Sequence, residues 1–142
     1  MKIILAIDDS KFSEAAAQAL IAHHRLQDLE VRVFHAAEPP TLLVGPEMAE
    51  YVPPGESVEE AKALVAKTAD ALRSAGVRVT TAVEQGDAKS TIIDNAEAWG
   101  ADLIVLGSHG RKGLQRFLDG SVSEWILRHT HCSVEIVRLP PK

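Results

Sequence analysis

Four glycines, at positions 107, 110, 113 and 120, lie in a stretch that follows the apolar run ADLIVL and precedes the helix-like run SVSEWILRHT. Glycine tolerates positive φ and lets backbone N–H groups converge on one point, and such a concavity binds anions. Ser121 adds a hydroxyl and the partial positive charge of a helix N-terminus, and Arg111 and Lys112 add two cations. The stretch is therefore a candidate phosphate-binding loop. The alternative is a flexible glycine turn, followed by a capped helix, with both cations in solvent.

The spacing of these glycines differs from the two commonest phosphate-binding motifs. No Gly-Lys-Ser or Gly-Lys-Thr occurs anywhere in the chain, and the closely spaced first glycine pair of the dinucleotide fingerprint is absent. His109 lies inside the loop and is of a residue type that transfers protons. No partner carboxylate is evident for it, so we expect it to shape the loop or donate a hydrogen bond, and we assign no catalytic residue.

The remaining reactive side chains predict no metal site and no nucleophile. His23 and His24 are adjacent and so point to different helix faces, while His129 and His131 straddle a helix end with no carboxylate at ligand spacing. Cys132 is interpreted as a small hydrophobic residue, because no Cys-His-Asn arrangement is suggested. The two tryptophans, Trp99 and Trp125, fall at helical positions and are predicted to be core anchors.

Composition limits the class of protein. A chain of 142 residues is predicted to form one domain, 1–142, and its net charge of −5 with 4% aromatic residues argues against nucleic acid as a partner. The N-terminus MKIILAIDDS has an apolar run of five residues followed by two aspartates, which indicates a buried strand rather than a signal peptide or membrane span. The single cysteine is compatible with a reducing compartment, and we expect a cytoplasmic protein with no membrane partner.

Strand-like and helix-like segments alternate along the chain, which is typical of a parallel sheet with helical crossovers. Strands are predicted at 2–7, 30–35, 78–83, 102–106 and 134–137, and helices at 13–24, 57–75, 90–99 and 121–130. Ser57 with Glu60 and Ser121 with Glu124 have the spacing of helix capping boxes. The segment 38–56 contains five prolines and two glycines, so we expect a lid, a partner surface or disorder there.

The order Gly-x-x-Gly, nine residues, Gly-Ser resembles the ATP-binding signature of the universal stress protein family. ILAIDDS is similar to the family's first strand and its following aspartate and serine, and VFHAAE to its second strand end, where Ala36 follows His35. EQGDAKSTIIDNAEAWGADLIVLGSHG resembles the third strand, glycine turn, helix and fourth strand. The resemblance covers essentially the whole chain. The chain departs from the family's Cys-Pro-Val-apolar-Val-Val-Arg ending at Ser133 and Glu135.

The resemblance implies a single doubly wound α/β domain with a five-stranded parallel sheet in the order 3-2-1-4-5 and helices on both faces. Strands 1 and 4 would then flank a crevice, in which Asp8 would lie near adenine or ribose and Ala36 would leave room for the base. The glycine loop, Ser121 and Ser123 would hold the phosphates. The implied nucleotide-binding residues are Asp8, Ser10, Ala36, Leu106, Gly107, Ser108, His109, Gly110, Arg111, Gly113, Gly120, Ser121, Val122 and Ser123.

The function implied is that of an ATP-binding stress-response or signalling protein, a nucleotide-occupied switch that controls interaction with an unidentified protein partner. Mg²⁺ or Mn²⁺ would be carried by the ATP phosphates, with no metal ligand from the protein. The family's last strand commonly pairs with its copy, so a homodimer through the C-terminal strand is expected. Two alternatives remain: a slow ATP hydrolase or nucleotidyl-transfer enzyme, and a nucleotide-free dimerisation module.

Overall fold

The computed structural model describes residues 1–8, 11–37, 57–107 and 122–138. Strands and helices alternate through these ranges, with one short 3₁₀ turn at Leu26–Asp28. The strands are β1 (Lys2–Ala6), β2 (Glu30–Ala37), β3 (Arg78–Gln85), β4 (Leu103–Gly107) and β5 (Ser133–Val137). The helices are α1 (Lys11–His23), α2 (Val58–Ser74), α3 (Ala88–Trp99) and α4 (Val122–His129).

The five strands form one parallel sheet in the order β3-β2-β1-β4-β5, which confirms the predicted fold class and strand order. β1 lies at the centre, where Ile4 is paired with Arg32 of β2 on one side and with Ile104 of β4 on the other. Central strands of a parallel sheet are covered on both faces, and the short apolar run of β1 is correspondingly buried from Ile3 onward.

Two apolar layers pack on opposite faces of the sheet. Ile3 and Leu5 face the layer built with α1 and α2, and Ile4 and Ala6 face the layer built with α3 and α4. The alternation follows from the period of two in a strand, which sends successive side chains to opposite faces. The side chains of the other strands alternate in the same way, so the position of a residue within its strand determines which helix layer it faces.

Two helices, α2 and α3, begin at a side chain that caps the helix N-terminus. The Oγ atom of Ser57 accepts a hydrogen bond from the backbone N–H of Glu60 at 3.0 Å, which confirms the predicted cap of α2. The third helix begins at Ala88 rather than at 90, because the Asp87 carboxylate caps it by accepting from the N–H of Ser90 at 3.2 Å. The predicted cap at Ser121 and the segment 38–56 lie outside the described residues.

The prediction that both tryptophans are core anchors is wrong for Trp125. Trp99 packs against the α3/α4 layer, whereas Trp125 is 42% exposed on the outer side of α4. Its ring is instead stacked on the ring of His129 one turn later, with a centroid separation of 3.8 Å, and the Lys89 ammonium lies 5.4 Å from its centroid. Helical spacing alone does not indicate which face of a short helix is buried, since Ile126 and Ser123 occupy the core side of α4.

Candidate functional site

The candidate site lies at the carboxyl edge of the sheet, where β1 and β4 are neighbours. The chain leaves β1 toward α1 on one face and leaves β4 toward α4 on the other. Where adjacent strands send their connections to opposite faces, a crevice opens at their carboxyl ends, and α/β proteins bind ligands there. Asp8 follows β1 on one side of this crevice and Gly107 ends β4 on the other.

Asp8 is held by Ser13 in the first turns of α1. The backbone N–H of Asp8 donates to Ser13 Oγ at 2.8 Å, and the Ser13 hydroxyl donates to Asp8 Oδ1 at 2.9 Å. Ser13 is buried, so this reciprocal pair fixes the carboxylate against the helix that follows it. A carboxylate fixed in this way is a preorganised acceptor, because its rotamer is already determined before a ligand arrives.

His35 supports the same strand end from β2. Its ring is buried, and Nδ1 lies 2.7 Å from the carbonyl oxygen of Ile7. A carbonyl only accepts hydrogen bonds, so Nδ1 carries a proton and donates it to this oxygen. The contact adds to the backbone bond from Ile7 N–H to the Phe34 carbonyl at 2.9 Å and extends the β1–β2 attachment up to Asp8.

Gly107 is required by the packing of α1 against the end of β4. A Cβ at this position would lie 2.7 Å from both the Cβ and the carbonyl oxygen of Phe12, and 2.8 Å from the Phe12 carbonyl carbon. Two of these three atoms belong to the backbone and have no rotamer through which to retreat. The role of this glycine in the described structure is therefore a close approach between strand and helix, in addition to any contact with a ligand.

Ala36 and Leu106 lie near the carboxyl ends of β2 and β4, on the side of the sheet that faces the α3/α4 layer. Ala36 is half-buried at the margin of the α3/α4 layer and is paired with Glu84 of β3. Leu106 is buried in the same layer, so only its backbone is available to a ligand.

The first turn of α4 contributes Val122 and Ser123. Val122 packs at the margin of the α3/α4 layer, and Ser123 is buried on the face of the helix that also carries Ile126. The other predicted site residues lie outside the described residues: Ser10, Ser108, His109, Gly110, Arg111, Gly113, Gly120 and Ser121.

Sequence reasoning missed two residues of this site, Phe12 and Ser13. The sequence predicts a helix that begins at 13, with Ser13 as its first residue. In the structure the helix begins at Lys11, and the Ser13 side chain turns back onto Asp8. A serine five residues after a strand-ending aspartate was the available signal. No signal in the sequence pointed to Phe12, since its contact with Gly107 joins residues far apart in the chain.

Across the ranges that the structure describes, no group of three or more His, Cys, Asp or Glu side chains is arranged to hold a metal ion. None of the described helices combines the length and the apolarity that a membrane crossing requires.

Comparison with known proteins places the chain among relatives of similar length. The model of the universal stress protein family matches residues 1–138. The chain is 31% identical to universal stress protein MJ0531 of Methanocaldococcus jannaschii over 142 residues, covering 99% of this chain and 84% of that protein. It is 30% identical to universal stress protein Sll1388 of Synechocystis over 149 residues, covering 96% and 97% of the two chains.

Solved structures share the fold, and some of them hold adenine nucleotides. The hypothetical protein MJ0577 superimposes with a TM-score of 0.77 at 25% identity, covering 99% of this chain and 97% of that one. A universal stress protein of Archaeoglobus fulgidus in complex with dAMP has a TM-score of 0.69 at 21% identity, covering 96% and 97%. An Arabidopsis thaliana family protein with AMP bound has a TM-score of 0.66 at 18% identity, covering 99% and 92%. On the family match over nearly its whole length, this chain belongs to the universal stress protein family.

Proposed function

We propose that this chain is one nucleotide-binding domain that binds ATP in the crevice between β1 and β4 and acts as a nucleotide-occupied switch. The observation that carries the proposal is the pair of strand ends at the crevice: an Asp8 carboxylate fixed by Ser13 on one side and the Gly107 backbone on the other. The adenine nucleotides bound by family proteins of the same fold support the choice of ligand class.

Each part of the nucleotide has a candidate partner. Asp8 offers a carboxylate oxygen to the base or to a ribose hydroxyl, and Ala36 is small enough to leave room for the base beside it. The chain from Gly107 to Ser121 offers glycine N–H groups, two adjacent cations and a serine at the start of α4 for the phosphates. ATP would bring its own Mg²⁺ or Mn²⁺ on those phosphates.

Occupancy would be communicated to another protein through the surface around the glycine loop. A ligand shifts a conformational equilibrium only by its differential affinity for the two states, so the proposed switch requires ATP to bind one state of the protein more tightly than the other. Phosphoryl transfer needs a protein-held metal, an oriented nucleophile and cationic stabilisation, and the sequence offers candidates only for the last. ATP is therefore proposed as a ligand retained by the protein, with hydrolysis as the competing outcome.

We further propose that the protein works in the cytoplasm as a homodimer joined through β5. β5 is an edge strand of the described sheet: it is paired with β4 on one side and with no described strand on the other, where the strand of a second copy would pair. Its five residues are half-buried except for Ser133, which is exposed.

Calorimetric titration of Asp8→Ala with MgATP and with inorganic triphosphate tests the ligand assignment. We expect the variant to lose about 1–3 kcal/mol of ATP binding and to bind triphosphate as the wild type does, because only the nucleotide carries a group for the carboxylate. Asp94→Ala, which removes an exposed carboxylate of α3, is the matched control and should leave both affinities unchanged. Equal losses for both ligands would move Asp8 away from the base and ribose.

A further inference from the structure

His35 is a buried titratable residue to which the proposed nucleotide site assigns no contact with the ligand. Its side chain is 4% exposed, and it shares the strand face of Val33, which packs into the α1/α2 layer. Burying a polar ring in an apolar layer is costly unless hydrogen bonds compensate. One such bond runs from Nδ1 to the carbonyl oxygen of Ile7 at 2.7 Å, directly before Asp8 in the chain.

The carbonyl that His35 binds belongs to the same peptide unit as the N–H of Asp8. That N–H donates to Ser13 Oγ at 2.8 Å, and the Ser13 hydroxyl donates to Asp8 Oδ1 at 2.9 Å. The imidazole, the Ile7–Asp8 peptide, the serine and the carboxylate are therefore joined by three hydrogen bonds in series. Each of them is donated in the direction of the carboxylate.

Hydrogen bonds donated in one direction polarise one another. A donor on a peptide carbonyl makes the N–H of that peptide a stronger donor, and the effect is larger where water is excluded. Here Ile7 is 7% and Ser13 is 8% exposed, so the whole series is shielded from solvent. A peptide held at both its oxygen and its nitrogen has little freedom to rotate, and the side chain of Asp8 is tied to the same serine.

We propose that His35 is a positioning residue of the nucleotide site, which fixes the Ile7–Asp8 peptide and, through Ser13, orients the Asp8 carboxylate toward the nucleoside part of the ligand. The inference rests on the proposed function, in which Asp8 accepts a hydrogen bond from the base or a ribose hydroxyl. A binding group must be held within about 0.5 Å of its productive position by the residues around it. Loss of His35 should therefore weaken the contact that Asp8 makes and leave the phosphate contacts intact.

His35→Asn and His35→Leu are the matched variants for this role. Asparagine carries its amide nitrogen on Cγ, where histidine carries Nδ1, so it retains a donor for the Ile7 carbonyl. Leucine branches at Cγ in the same way, so the two variants leave the same space in place of the ring and differ in the donor. Val33→Ala, at a fully buried position on the same strand face, is the control for lost stability alone.

Calorimetric titration with MgATP and with inorganic triphosphate measures the effect on binding. We expect His35→Leu to weaken ATP binding about twofold to tenfold, the equivalent of one neutral hydrogen bond, and to bind triphosphate as the wild type does. His35→Asn should restore ATP affinity toward that of the wild type. Val33→Ala should lower the thermal midpoint and keep both affinities.

A double-mutant cycle tests whether His35 acts through Asp8. In the Asp8→Ala background, His35→Leu should cause no further loss of ATP affinity, because the carboxylate that it orients is already absent. A histidine that only supported the fold would weaken binding by the same factor with or without Asp8.

The amide proton of Asp8 reports on the hydrogen bonds in the absence of ligand. In a proton–nitrogen correlation spectrum of the free protein, this proton should lie upfield in His35→Leu relative to His35→Asn, because its peptide is less polarised when the carbonyl has no donor. Neither variant has an imidazole ring, so a ring-current effect does not distinguish them.

The outcomes separate this inference from the proposed function. A wild type that does not bind ATP overturns the proposed function, whereas equal Asp8 amide shifts in the two variants overturn the series of hydrogen bonds whether or not ATP binds. If the wild type binds ATP, the positioning role is wrong when His35→Leu binds ATP as tightly as the wild type or loses ATP and triphosphate affinity equally. A further loss in the Asp8→Ala background also overturns it.

Discussion

Replacing Gly107 with alanine tests whether the end of β4 and the start of α1 are held in direct contact. The new Cβ would meet three atoms of Phe12 at 2.7–2.8 Å, whereas ordinary contacts begin near 3.4 Å. The strand and helix must therefore separate by about 0.7 Å, the difference between 3.4 and 2.7 Å. Overpacking of this kind costs about 1–3 kcal/mol, which for a domain of this size lowers the thermal midpoint by roughly 3–9 °C.

The same displacement reaches the candidate site, because α1 also holds Asp8 through Ser13. Binding groups must be kept within about 0.5 Å of their productive positions, so we expect ATP affinity to fall by at least about tenfold. Thermal unfolding and calorimetric titration measure the two effects on one sample.

Gly100→Ala is the control for general destabilisation. Gly100 ends α3 at φ +77° and a Cβ there would meet nothing within 4 Å, so alanine adds left-handed strain of about 1–2 kcal/mol without a clash. This variant should lose stability and keep its ATP affinity. If Gly107→Ala matched the wild type in both measurements, the contact between α1 and β4 would not constrain the site and the reasoning would fail.

Three further changes have defined expectations. His24→Ala should lower the free energy of unfolding by about 1–3 kcal/mol, because it removes the histidine to which the Glu135 carboxylate is hydrogen-bonded. His23→Ala, at the exposed neighbouring position, should leave the free energy of unfolding unchanged, and equal urea midpoints for the two variants would contradict this. Asp87→Ala should cost about 1 kcal/mol in urea unfolding through loss of the α3 cap, against no change for the exposed Asp94→Ala in the same helix. Gly110→Val should abolish ATP binding while the circular dichroism spectrum stays native, since a β-branched side chain blocks positive φ and fills the space of a phosphate. An unchanged ATP affinity in calorimetric titration would contradict the assignment of this segment as a phosphate-binding loop.

The positions of the strands could be predicted well from the sequence, because each buried strand is a short apolar run between turn residues. The strand order came from the family resemblance, since a pattern along the chain does not reveal which strands are neighbours. The sequence marks Glu135 only as a departure from the family's usual ending, and the structure adds that this carboxylate faces His24.

The local geometry of the site could not be predicted from the sequence to the same extent. The reciprocal bond between Asp8 and Ser13 depends on the turn that connects β1 to α1, and the contact of Gly107 with Phe12 depends on how two distant segments pack. Trp125 was misplaced for a related reason, because the core-facing side of α4 is decided by α3 and β5 rather than by its own spacing.

Equilibrium dialysis of the purified chain against MgATP, with the bound nucleotide identified by mass spectrometry, tests the central claim most directly. We expect saturable binding of about one adenine nucleotide per chain, recovered mainly as ATP, because hydrolysis should stay far below the roughly 1–1000 per second typical of enzymes. No bound nucleotide at millimolar ATP, or rapid and complete conversion of ATP to ADP, would contradict the account.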